Sequence, residues 1–329
     1  MFDVIGDVHG HADELEDLLA RLGYDASGGA FRHPSRTAVF LGDWIDRGPR
    51  IARTLEIVRG MVDHGAARAV IGNHELNALA WATPRSPVQP PRDAQDWCRA
   101  HTPKNQRIHQ RTVEQLTPPQ LERWLDWFRT LPWWLDLGGL RCVHACWDAA
   151  AMRDLVAAFG ANWITSAEVV RAAHRPGSRE AAAAERILKG PEIPLPEGRT
   201  LPDPEGFQRR VMRTRWFGAQ SARTYADIAF PGREGMPQDP LPADGAAPPP
   251  LYGAEEPPVI IGHYWIPGAH PAEPLAPNVA CVDYSVARGG RLMAYRWSGE
   301  RRLCAANFVS VPWRPRDGSA RRGDASHSR

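Results

Sequence analysis

Apolar positions over the first eighty residues alternate between two periods. Phe2–Ile5 is a continuous apolar run that stops at Gly6, and Leu15, Leu18, Leu19 and Leu22 then recur at helical spacing with Asp13 and Glu14 in the first turn. The same step repeats: a strand over residues 38–41 ends at Gly42, and Ile51, Leu55, Val58 and Val62 mark a helix after Pro49. A third strand over 69–71 ends at Gly72. Strands with a helix between them form β-α-β units, whose right-handed crossover makes the strands parallel and brings their C-terminal loops to one edge.

Beyond Trp81 the period is lost. Residues 82–117, rich in Pro, Arg and Gln, read as an insertion, and Pro118 and Pro119 open a helix carrying Leu121, Trp124, Leu125 and Phe128 on one face. Strands over 133–137 and 140–144 flank Gly138 and Gly139, a hairpin signal. Residues 147–189 read as helical, and 190–258, crowded with Pro and Gly, as surface connections; together 147–257 make a second insertion. Strands resume at Val259–Ile261, over 279–283 and at Arg291–Trp297. The pattern describes one domain over 1–313 and a disordered basic tail over 314–329.

Each strand end carries the same kind of chemistry. Gly6-Asp7-Val8-His9-Gly10, Gly42-Asp43-Trp44-Ile45-Asp46-Arg47-Gly48 and Gly72-Asn73-His74-Glu75 close the first three strands, His144 closes a fourth, and Gly262-His263 a fifth. A lone Asp or His after a strand is more often a turn former than a ligand. Five sets converging on one rim are another matter, because carboxylate, imidazole and carboxamide suit divalent manganese, iron, zinc or magnesium. Asp43, between the other two signatures, suits a bridging carboxylate; His74 adjoins Asn73 and can protonate a leaving oxygen with Asp46 orienting its ring; Arg47 can grip a phosphate through two parallel hydrogen bonds.

The ordered signatures G-D-x-H-G, G-D-x-x-D-R-G and G-N-H-E, followed by the strand-final His and the Gly-His, resemble the calcineurin-like metallophosphoesterases, and Asp-Arg-Gly points to their phosphoprotein phosphatase branch. The resemblance implies an α/β fold, a metallophosphoesterase-type sandwich of two sheets flanked by helices, with the long insertions forming a cap. It implies two divalent metal ions, manganese preferred, with Asp7 and His9 on the first, Asp43 bridging, and Asn73, His144 and His263 on the second. His74 and Asp46 would be the acid pair and Arg47 the phosphate clamp. A second phosphate-binding arginine carries no motif; Arg50 and the cluster of Arg209, Arg210, Arg213 and Arg215 are the candidates, Arg50, Arg213 and Arg215 preferred, although a basic run is more often a solvated face. The sequence departs from that branch where Ala145 and Cys146, rather than two glycines, follow His144; Cys146 is a redox-sensitive neighbour or, the preferred reading, a packing residue.

The expected reaction is hydrolysis of a phosphate monoester by metal-activated water, with a phosphoprotein as the preferred substrate, since the acidic Asp46 suits a poor alkoxide leaving group. A dinucleoside polyphosphate hydrolase, cleaving diadenosine tetraphosphate, is the rival enzyme; a metal-binding scaffold is the non-catalytic one. Net charge of +2 over 329 residues calls for no nucleic-acid or membrane partner, and oligomeric state stays open. Five cysteines without a C-x-x-C pair fit reduced thiols. The absence of a signal-peptide pattern or a long apolar run leads to the expectation of a cytoplasmic protein.

Overall fold

In the computed structural model, which describes residues 1–202, 208–218, 222–232, 235–242 and 252–315, β1 (Phe2–Ile5) leads into α1 (Ala12–Leu22), β2 (Thr37–Phe40) into α2 (Ile51–Asp63), and β3 (Ala67–Ala69) into α3 (Asn73–Trp81). The three strands pair in parallel, Ile5 opposite Phe40 and Phe40 opposite Ala69. The four leucines of α1 are buried, each stabilising the fold by about 2 kcal/mol relative to exposure, and the helix stops at Gly23 in the left-handed conformation. β3 lies two residues before its expected position. Val70 N still donates to Phe40 O, but Ile71 N turns to Pro132 O, so the ladder ends early.

The 82–117 stretch is not wholly irregular: α4 (Pro103–Gln115) runs through it, capped by Thr102, whose hydroxyl accepts from Asn105 N. Its apolar period was invisible because the residues it buries, His109 and Thr112, are polar. α5 (Pro118–Phe128) follows, then the hairpin of β4 (Trp134–Asp136) and β5 (Arg141–Val143), turning through Gly138 and Gly139 at φ of 71° and 120°. Helices α6 (Ala149–Phe159), α7 (Ala167–Ala173) and α8 (Arg179–Lys189) fill the stretch expected to be helical.

The next segment corrects a second expectation. β6 (Glu192–Pro194), β7 (Leu201–Pro202), β8 (Gln208–Arg209), β9 (Val211–Arg213) and α9 (Tyr225–Ile228) form two small ribbons, β6 with β9 and β7 with β8, over a minor core of Ile193, Leu195, Met212, Tyr225, Ile228 and Ala229. Trp216 goes further, joining the main core and donating Nε1–H to Tyr264 Oη at 3.1 Å. This is core, not only surface connection, because enough large apolar side chains interrupt the Pro and Gly.

β10 (Val259–Ile261) and β11 (Val279–Cys281) pair in parallel, while β12 (Asp283–Tyr284) pairs with β13 (Arg291–Trp297), and β14 (Phe308–Pro312), which the apolar pattern did not single out, adds to β13. The expected single strand over 279–283 therefore divides at Val282 between two sheets. One sheet has the order β12-β13-β1-β2-β3 with β14 on β13; the other is β11-β10-β5-β4. Gly6 lies against this crossing, where a Cβ would stand 2.1 Å from Val282 O. Of the expected tail, Arg314 pairs with Asp17 and its N–H donates to Glu14; residues 316–329 lie outside the described residues. Among the described residues no helix is long and apolar enough to cross a membrane.

Candidate metal centre

The loops after β1, β2, β3, β5 and β10 converge, and Asp7, His9, Asp43, Asp46, Asn73, His74, His144 and His263 are each 9% exposed or less. Burying that much ionisable surface is costly unless opposite charge or hydrogen bonds offset it. Asp43 is the hub. Its Oδ2 lies 3.6 Å from His9 Nε2 and 3.8 Å from His74 Nε2, and its Oδ1 lies 3.5 Å from His144 Nε2. Ligand-type atoms gather in two groups, His9–Asp43–His74 and Asp43–His144–His263, with Asp43 common to both. Asp7 accepts the His263 N–H with both oxygens at 3.2 Å.

Backbone geometry shows how the loops deliver these side chains. His9, Asp43, Asp46, Arg47, His263 and Trp265 all have positive φ, between 45° and 68°, a conformation costing non-glycine residues on the order of 1–3 kcal/mol each. Glu75 holds part of it: Oε2 accepts from Asp43 N at 2.7 Å and Gly72 N at 3.1 Å, and Oε1 from Trp44 N at 2.8 Å. The last residue of the third signature is thus a brace for the second.

Ring orientation follows from simple donor arithmetic. His144 Nδ1 lies 2.7 Å from Leu41 O and His9 Nδ1 2.8 Å from Ile45 O; a carbonyl only accepts, so both Nδ1 atoms carry the proton. Burial pushes the His9, His144 and His263 pKa values down, which favours neutral rings, and in His9 and His144 this leaves a bare Nε2. In His144 that lone pair faces Asn73 Oδ1 at 3.0 Å and Asp43 Oδ1, acceptor against acceptor. His9 Nε2 and His263 Nε2 are buried with no hydrogen-bond partner. Burial, then Asp283 and Asp43, push Asp7 well above the usual carboxylate range, and Asp283 is raised to about 6, burial again first. Converging lone pairs and surplus buried carboxylate are what divalent cations would balance, and the donor set fits ions of borderline type.

Asp46 and His74 behave as a pair. Oδ2 of Asp46 is 2.5 Å from His74 Nδ1. Burial opposes the charge on Asp46, yet hydrogen bonds from His109 and His74 outweigh it and hold the carboxylate far below its usual range. Burial likewise opposes the charge on His74, but Asp43 and Asp46 raise its pKa.

The arginines divide. The Arg47 guanidinium lies 4.3 Å from the Trp265 ring centroid, and that of Arg288 lies 4.5 Å from the same ring. Arg213, 3.8 Å from Glu192, is close enough to depress His263 and His144. Arg50 instead pairs with Asp13, and Arg215 bonds through its N–H to Ile228 O and acts on Asp227, so neither is drawn to the cluster by any of these contacts. Trp265, Arg288, Asp283, His109 and Thr112 escaped the sequence reading; the Gly-His-Tyr-Trp run was the one local signal for Trp265. All five cysteines are free, and Cys146 is fully buried with its thiol pushed up by burial, a packing residue. A cavity of about 230 Å³ opens beside Asn73, lined among others by Asn77, Arg99, His174 and Lys189.

Known proteins resemble this chain to differing extents. Over 74 residues the chain is 46% identical to the asymmetrical bis(5'-nucleosyl)-tetraphosphatase PrpE of Halalkalibacterium halodurans, and over 73 residues 44% identical to that of Oceanobacillus iheyensis. Those stretches are 22% of this chain and 30% and 29% of the relatives, less than a third of their length. A protein serine/threonine phosphatase structure from Saccharomyces cerevisiae aligns with 97% of this chain and 81% of its own at 12% identity and a TM-score of 0.49. The family model for calcineurin-like phosphoesterases matches residues 1–190. That is more than half the chain and takes in four of the five loops that build the centre, so the protein belongs to the calcineurin-like phosphoesterase family.

Proposed function

We propose that the protein is a metal-dependent phosphomonoesterase of the phosphoprotein phosphatase type, acting on phosphoserine or phosphothreonine. The observation that carries this reading is the buried pair of Asp46 and His74 beside the shared carboxylate Asp43. Asp7 and His9 would hold one divalent ion, Asn73, His144 and His263 the other, and Asp43 both; manganese is the preferred occupant. Such a pair supplies Lewis-acid charge and a water of lowered pKa when bound.

The chain's own residues do the rest. Arg47 can hold two phosphoryl oxygens through its guanidinium, which lies over the Trp265 ring. His74, whose pKa Asp43 and Asp46 raise against the effect of burial, presents Nε2 on the Asp43 side and in its protonated form can give that proton to a departing alkoxide, while Asp46 retains Nδ1–H and the orientation of the ring. An alkoxide needs that proton. A polyphosphate leaving group, already a weak base, needs it far less, which favours a monoester substrate.

The second reading, hydrolysis of dinucleoside tetraphosphates, is favoured by the names of the matched relatives and by Arg47, Arg288 and Trp265 together, which offer charge and an aromatic edge to an extended anion. The deciding experiment is kcat/KM for a phosphothreonine peptide and for diadenosine tetraphosphate under the same metal. A dinucleotide preference of about a hundredfold would install the second reading, and metal binding without turnover of any phosphate ester would leave a scaffold.

A further inference from the structure

α4 buries two residues of thirteen, both polar, and both end on one carboxylate. Thr112 Oγ1 donates to Asp46 Oδ1 at 2.5 Å and accepts from Asp46 N at 3.0 Å, so a single hydroxyl ties the backbone and the side chain of the same residue. His109 Nδ1 donates to the same Oδ1 at 2.9 Å. One turn on, Gln115 accepts from Ile51 N at 2.8 Å and donates to Gly48 O at 2.9 Å. Positions 109, 112 and 115 thus present one polar edge of the helix to the loop that carries Asp46 and Arg47.

We propose that His109 and Thr112 are positioning residues for catalysis: they saturate Oδ1 of Asp46, fixing the carboxylate so that Oδ2 meets His74 Nδ1 and His74 Nε2 stays aimed at the leaving oxygen. The proposal rests on the phosphoesterase reading above. Its physical basis is the number of soft rotations removed. Asp46 sits at φ of 65°, a conformation that would relax if unheld, and a carboxylate bound at one oxygen alone can swing about its χ2. Two donors from α4 leave one rotation and one free acceptor, which His74 takes. His109 is itself held, its ring against Trp81 at 5.6 Å, with Trp81 stacked on His101 at 3.7 Å and His101 on Trp97 at 4.7 Å. A hydrophobic role does not account for α4, because no apolar residue of the helix is buried.

The test uses the full-length, metal-loaded protein and two substrates that differ in leaving group, phenyl phosphate and p-nitrophenyl phosphate. In His109→Ala, kcat for phenyl phosphate is expected to fall roughly 10- to 100-fold, with a much smaller loss for p-nitrophenyl phosphate and with KM and metal content unchanged. His109→Asn, whose amide N–H can replace Nδ1–H, should recover most of that loss; Thr112→Ser should retain activity where Thr112→Val loses it. Should His109→Ala fail to fold, the volume-matched Thr112→Val carries the comparison. An independent readout is the Nδ1 proton of His74 in the zinc-loaded protein, followed by ¹⁵N-resolved NMR: protected from exchange in the wild type, lost to exchange in His109→Ala and Thr112→Val. Equal kcat loss for both leaving groups, a loss confined to KM, or an unaltered Nδ1 proton in the variants overturns the proposal. If the wild type turned over no phosphate ester, the phosphoesterase reading would fall and the spectrum alone would decide whether α4 orients His74.

Discussion

An alanine at position 6 would put its methyl carbon 2.1 Å from the carbonyl oxygen of Val282 and 2.7 Å from the carbonyl carbon, more than about 1 Å inside ordinary contact. Both obstacles are backbone, and both segments are anchored: Gly6 N donates to Met293 O at 3.1 Å, and Val282 N to Ile261 O at 2.8 Å. The methyl must therefore part β1 from the point where the chain crosses from β11 to β12. Overpacking of this kind costs about 3 kcal/mol, and the lower entropy of an unfolded alanine offsets about 0.5 kcal/mol of it. At roughly 2–3 °C per kcal/mol for a domain of this size, Tm should fall by about 5–8 °C. Asp7 follows Gly6 directly and Asp283 follows Val282, so the same displacement reaches both carboxylates, and a shift on the order of 1 Å costs about 10² in turnover. Differential scanning fluorimetry, metal content after reloading and p-nitrophenyl phosphate turnover measure the three effects. Gly28→Ala is the control: nothing lies within 4 Å of its added Cβ, and its stability should stay within about 0.5 kcal/mol of wild type. Indistinguishable behaviour of the two variants would refute the idea that the two sheets meet at Gly6.

Asp43→Asn should remove nearly all turnover and lower metal content, since one carboxylate faces both ligand groups; full activity with full metal would end that assignment. His74→Ala should keep the metals and lower kcat by roughly 10²–10⁴, more for poor leaving groups than for nitrophenol, and a uniform loss would exclude a general-acid role. Burial pushes His174, whose Nδ1 lies 2.9 Å from Val170 O, down to about 4 from 6.5. Between those values the unfolded chain binds the proton and the folded one does not, so the contribution present above pH 6.5 is lost as pH falls toward 4. The drop in Tm from pH 7.5 to 5 should therefore be smaller in His174→Gln than in wild type; an equal drop in both would place the acid sensitivity elsewhere.

The rim was legible because its causes are local. A glycine after an apolar strand forces a turn, the next residues are polar, and parallel β-α-β crossovers leave every such turn on the same edge. Asp7, Asp43, Asn73, His144 and His263 could therefore be assembled from order along the chain, without knowing a single distance. The parallel pairing of β1, β2 and β3, the Gly138-Gly139 hairpin and the helical stretch before Lys189 rest on equally short-range rules.

Other features depend on which polar groups meet, and periodicity does not encode that. His109 and Thr112 reach Asp46 across 63 and 66 residues. At helical spacing on an otherwise polar helix they look the same whether that face meets water or a buried carboxylate. Arg213 stands near the histidines while Arg215, two residues on and past the end of β9, bonds through its backbone N–H to Ile228 O of α9, a difference set by where the strand stops. The run over 279–283 reads as one strand since its residues are uniformly apolar until Asp283, yet it serves two sheets, the break being set by where β10 ends and β13 begins. Sequence alone determined which polar side chains close the strands and the edge they share; tertiary packing decided which side chains stand around them, because hydrogen bonds between distant segments are chosen by three-dimensional proximity and leave no period in the chain.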